Sequence, residues 1–142
     1  MANAVYPIGR EGFALGEIDW DTAVFKCYLV RGYTYSASHK FFSEVLSAGG
    51  TLVSTSAALA SKTATAGVLD AADTTFVAVP SGAAIGAVII AQASAVGGGA
   101  DVADAAKRLV VFIDTATGLP TTPIGTDIPL TFDNGANKIA AI

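Results

Sequence analysis

The chain has 142 residues, 14% of them charged and 52% apolar, with a net charge of −4. A typical soluble domain carries about 25% charged residues. The composition excludes a disordered tail, and a single cysteine excludes a disulfide scaffold. The basic residues are scattered, with only Lys107 and Arg108 adjacent, so no basic stripe for nucleic acid is present.

In chain order, the glycine-rich stretch 6–16 holds a short helical turn, and residues 1–12 are expected to extend as an N-terminal arm. Asp19-Trp20-Asp21 opens a turn, and 23–31 is a strand of β-branched and aromatic residues. A short helix is predicted over residues 38–48. Ser38 would cap it, Gly49-Gly50 would end it, and Phe41, Phe42, Val45 and Leu46 would form its apolar face.

Beyond residue 50 the sequence reads as strands at 51–60, 61–66, 74–79, 84–93, 108–114, 128–132 and 138–142. A helical turn is predicted at 101–106. Turn residues separate the strands: Pro80-Ser81-Gly82, Gly97-Gly98-Gly99, Thr117-Gly118-Leu119-Pro120 and Asp133-Asn134-Gly135. The last two strands, joined by the Asn-Gly loop, are expected to pair as a hairpin. The fold class is therefore mainly β. We expect one domain over 1–142, a β-sandwich or small barrel of jelly-roll or immunoglobulin-like form, with one short helix near 38–48.

No charge falls between Asp73 and Asp101, but the continuous apolar core of that stretch spans only 83–91. A helical membrane span needs about 20 apolar residues, so a buried strand is expected and no membrane association. The N-terminus lacks a basic flank followed by an apolar run, so no secretory leader is expected.

Residues able to carry chemistry are few. His39 is the one histidine, and Ser36, Ser38 and Ser43 lie near it without a nucleophile-elbow pattern. It is expected in the first turn of the helix. Cys27 lies in an apolar strand and is expected buried and inert. One cysteine and one histidine do not make a zinc site, which takes about four ligands. Asp19 and Asp21, and Asp101 and Asp104, lack the alternating acids and closing glutamate of a calcium loop. Glu11, Glu17 and Glu44 suggest no catalytic pair, and Gly97-Gly98-Gly99 lacks the lysine of a phosphate loop. The expectation is a protein that is not an enzyme, with no catalytic, cofactor-binding or metal-binding residues and no cofactor.

Four segments do carry a resemblance. They begin at Gly9-Arg10-Glu11-Gly12-Phe13, at Phe25-Lys26-Cys27-Tyr28-Leu29-Val30 with Tyr33 to Phe42, at Leu59-Ala60-Ser61-Lys62, and at Phe112-Ile113-Asp114, running on to Phe132-Asp133-Asn134-Gly135. Together they span nearly the whole chain. They resemble a family of small virion-associated structural proteins of tailed bacteriophages. The resemblance implies a capsid decoration or cement protein on the outer capsid surface of the virion, synthesised in the host cytoplasm. Its partners would be the major capsid protein and copies of itself, as a homo-oligomer on a symmetry axis, with no nucleic acid. The N-terminal arm and the apolar C-terminus would reach neighbouring subunits. The alternative is a tail- or fibre-associated virion protein touching the host surface, with Tyr33 and Tyr35 as candidate contacts; these two are read first as strand or core residues.

Overall fold

The computed structural model describes residues 3–116, 118–136 and 138–142. The elements in order are β1 (Ala4–Val5), α1 (Pro7–Ala14), β2 (Phe25–Arg31), α2 (Phe42–Ser47), β3 (Thr51–Thr55), β4 (Thr63–Thr65), β5 (Val68–Asp70) and β6 (Thr74–Phe76). They continue with β7 (Ala87–Gln92), β8 (Ser94–Ala95), β9 (Gly98–Asp101), a 3-10 turn (Asp104–Ala106), β10 (Arg108–Ile113), β11 (Ile128–Leu130) and β12 (Ala140–Ala141). The protein is mainly β, as its patterning predicts.

A five-stranded antiparallel sheet, ordered β1-β10-β7-β2-β3, divides the core into two layers. Its middle strands β7 and β10 are buried at every residue. Their near-continuous apolar sequences, Ala-Val-Ile-Ile-Ala and Leu-Val-Val-Phe-Ile, follow from burial on both faces. Alternation along β2 sends Phe25, Cys27 and Leu29 to one face and Tyr28 and Val30 to the other. The first face packs on two small sheets, β6-β11 and β4-β5-β12, which contribute Leu69, Phe76 and Leu130, and a third, β8-β9, continues from the end of β7. The second is covered by Tyr6 and by α2 through Phe42 and Val45. The sheet is open at β1 and β3, so the form is sandwich-like rather than a closed barrel.

The segment expected as an extended arm is held on this sheet from Ala4 onward. β1 pairs with β10, placing Ala4 opposite Phe112 and Val5 opposite Val111. Helix α1 then lies against the same strand. Gly9 permits that approach, since a Cβ there would sit 2.8 Å from the Leu109 carbonyl oxygen. Pro7 in the first turn needs no N–H partner and fits the helix start.

Three other expectations are corrected. The helix of 38–48 begins only at Phe42, because residues 40–42 run extended beside β10. Leu109 N–H donates to Lys40 O, and Phe42 N–H donates to Lys107 O. Ser38 therefore caps nothing. Instead Glu44 reaches back and accepts the N–H groups of Lys40 and Phe41 at 2.6 and 2.8 Å. The predicted strand 61–66 ends at Thr65, and Ala66-Gly67 turns the chain into β5. Finally, the strands of the C-terminal hairpin do not meet: β11 pairs with β6 and β12 with β5. Each short strand joins the small sheet that carries its apolar residue, Leu130 or Ala140, into the core.

Candidate functional site

The residues singled out for chemistry lie in several separate elements, and most are engaged in local structure. His39 precedes α2 rather than lying in it. Its Nδ1 is 2.9 Å from the Tyr33 hydroxyl, which is 3.2 Å from the hydroxyl of buried Tyr6. Burial, together with the neighbouring tyrosines, raises the Tyr6 phenol above its ordinary range. Ser36 and Ser38 bond to each other through their hydroxyls at 2.9 Å. Tyr35 and Tyr33 are half-buried, with their rings against Phe112. Cys27 is buried, its thiol pushed up to about 12 by desolvation, with a bond to Ser56 acting the other way.

The acids are similarly occupied. Asp19 accepts the Thr22 hydroxyl at 2.6 Å and the Asp21 N–H at 3.0 Å, and these bonds hold its carboxyl below the usual range. Asp101 pairs with Lys26 and Asp104 with Lys107. Glu17 pairs with Arg108 and, at 3.7 Å, with Lys40. Arg108 is only 4% exposed and also donates to Ile8 O at 2.8 Å, which secures α1 over the end of β10. Among the described residues, no group of three or more His, Cys, Asp or Glu is placed to hold a metal ion. No helix among them is long and apolar enough to cross a membrane.

Two cavities are lined in part by apolar side chains. One, of about 400 Å³, lies between the sheet residues Leu29 and Val88 and the connection carrying Leu119, Ile124 and Ile128. The other, of about 360 Å³, is lined by Phe13, Trp20, Ala64, Leu69, Val96 and Ile142.

One broad surface low in charge is the flank formed by residues 45–69. This stretch contains one charged residue, Lys62. Its ammonium donates to Ala23 O at 2.6 Å and Asp21 O at 3.2 Å. Much of the stretch is nevertheless exposed, including Thr51, Leu52, Thr55, Ala57, Ala58 and Ala60. Its course explains why. β3 pairs with β2, and the chain continues along the same side through Ser56 N–H to Cys27 O and Leu59 N–H to Phe25 O. It then enters β4, the edge of the three-stranded sheet. The flank thus presents two sheet edges clothed in threonine, serine and alanine.

Sequence inspection directs attention to the charge-free run between Asp73 and Asp101. That run supplies the buried central strand β7. The charge-poor run 45–69 is exposed along much of its length, as are residues 80–84 of the charge-free run, so lack of charge alone does not separate buried from exposed segments. The separating signal is residue type: β7 is Val-Ile-Ile, whereas the flank is rich in small hydroxyl and methyl side chains.

Compared with family models, with curated proteins and with solved structures, the chain matches none.

Proposed function

We propose that the chain is a structural protein of a tailed-bacteriophage virion: a decoration or cement protein that binds the outer face of the major capsid lattice and reinforces it. The carrying observation is the exposed, nearly uncharged flank 45–69, which ends in the open, unbulged sheet edge β4. Charged residues are depleted at the cores of protein interfaces, and open strand edges are templates for pairing with another chain. Small side chains also allow close approach of a neighbouring backbone. Several ionisable groups, by contrast, are spent within the fold: Glu44 on backbone N–H groups, and Asp101, Asp104 and Glu17 on ion pairs with Lys26, Lys107 and Arg108. The resemblance of the sequence to small virion proteins supplies the lattice as the partner.

The tail- or fibre-associated alternative calls for aromatic side chains presented to a host surface. Tyr33 and Tyr35, its candidates, are packed on Phe112 instead, which favours the capsid reading.

The test is binding of the purified chain to assembled capsids lacking it. Cosedimentation should saturate on the order of hundreds of copies per particle, as a symmetric lattice requires. Saturation at a few copies, or at the tail alone, would replace the capsid reading with the tail one. No binding to either structure would remove the virion role.

A further inference from the structure

We propose that β4 is a self-association edge, along which two copies of this chain pair antiparallel about a two-fold axis centred on Ala64. This deepens the lattice-binding reading, on which its biological use rests, by naming one contact between copies.

The other edge strands are blunted in ways that discourage pairing. β1 has two residues and is followed closely by Pro7. β3 carries an extra residue, Val53: Leu29 lies opposite Ser54 while Val30 lies opposite Leu52. β11 contains Pro129, β9 contains Asp101, and β6, β8 and β12 each bury one of their residues. Prolines, charges, bulges and short lengths are the usual protections of a sheet edge. Among the described residues, β4 is the one strand exposed at every position, and it contains no charge, proline or bulge.

Backbone geometry makes this edge available. Thr65 lies opposite Val68 across the two-residue turn, and Ala64 opposite Leu69. In such a ladder the residues beside the turn exchange hydrogen bonds, so Ala64 turns its N–H and C=O away from β5. Neither group has a hydrogen-bond partner among the described residues. Two copies related by a two-fold axis at Ala64 exchange these bonds.

The side chains favour a second copy over an unrelated strand. The sequence Thr63-Ala64-Thr65 is the same read in either direction. The two-fold register therefore sets Thr63 opposite Thr65 of the second copy, and Thr65 opposite its Thr63. Threonine pairs are favourable cross-strand neighbours, and no like charges face each other. A three-residue ladder is only about 10 Å long. A stable interface needs roughly 1,200 Å² in all, so more apolar surface must be covered. It lies beside the strand: Ala64 lines the same crevice as Val96 and Ile142, which are 38% and 43% exposed.

Sedimentation equilibrium of the full chain, from roughly 1 µM to 1 mM, reads the association directly. The wild type should pass from monomer to dimer within this range. The Thr63→Lys, Thr65→Lys double variant faces lysine with lysine twice and should weaken the dimer about tenfold or more. The Thr63→Lys, Thr65→Glu variant faces opposite charges twice in this register and should restore it. Far-ultraviolet circular dichroism and the fluorescence of Trp20, whose indole N–H bonds to Thr63 O, check that each variant is folded.

A wild type that remains monomeric throughout overturns the proposal. So does a dimer that tolerates the double lysine, or one that the lysine–glutamate pair fails to restore. Capsid cosedimentation of the same variants separates the two readings: normal shell binding by a monomeric wild type would defeat the β4 contact while upholding the lattice role.

Discussion

Glu44 shows how this chain spends an ionisable group. The carboxylate accepts two backbone N–H groups, from Lys40 and Phe41, where the chain leaves its pairing beside β10 and enters α2. The Phe41 bond is the larger cause holding its pKa below the ordinary 4.5, with smaller help from Lys40 and His39. A depressed folded pKa means that the stabilisation is fully present above the unfolded value and is lost as pH falls through the folded one. We expect Glu44→Gln to lower stability by about 1 kcal/mol at neutral pH, in the range for a lost cap. Below the folded pKa the difference should vanish, since the wild-type carboxyl is then neutral too. Urea unfolding of both proteins at several pH values from neutral downward checks this; a constant difference would assign the effect to packing. The sequence places the helix near Glu44 but gives its cap to Ser38. The error is physical: residues 40–42 are claimed by pairing with the start of β10, more than sixty residues away, and a local capping rule carries no knowledge of that competitor.

At the scale of elements, the long apolar strands are legible because two-sided burial leaves a continuous apolar run, as in β7 and β10. The β4–β5 hairpin is not. Its turn is Ala66-Gly67, with φ of 53° and 78°. Two-residue hairpin turns with positive φ at both positions are signalled by Asn-Gly or Asp-Gly, and alanine gives no such signal. An L-alanine in this conformation is strained, while asparagine tolerates it better. Ala66→Asn should therefore stabilise the protein by about 0.5–1 kcal/mol, visible as a rise in melting temperature of a few degrees. Ala66 is exposed, so little packing opposes the change. An unchanged or lower melting temperature would show that the turn is not the strained point its φ values indicate.

Whole-molecule topology is where local reading fails most clearly, and the C-terminus is the instructive case. Asp133-Asn134-Gly135 looks like the loop of a hairpin, but the strands on either side serve different sheets. The partners are chosen by which core position each apolar residue fills, a property of the assembled layers rather than of the loop. The separation of Cys27, His39 and the acids among different elements is legible in their wide sequence spacing, whereas the course of the flank 45–69 along β2 and into β4 belongs to the assembled fold. The same topology changes what the C-terminal residues do. As a free arm, they would contribute to attachment and nothing to stability. In the fold, Ile139 N–H donates to Leu69 O, Ile142 N–H donates to Gly67 O, and Ala140 joins the core beside Leu69, which is fully buried. Deleting residues 139–142 removes these bonds and uncovers Leu69. The expected loss is about 2–4 kcal/mol, from apolar exposure and lost hydrogen bonding together. The urea midpoint should fall accordingly, and any loss of capsid binding should be recovered at lower temperature, where the truncated chain is folded. An unchanged midpoint combined with lost binding would return these residues to the role of an arm.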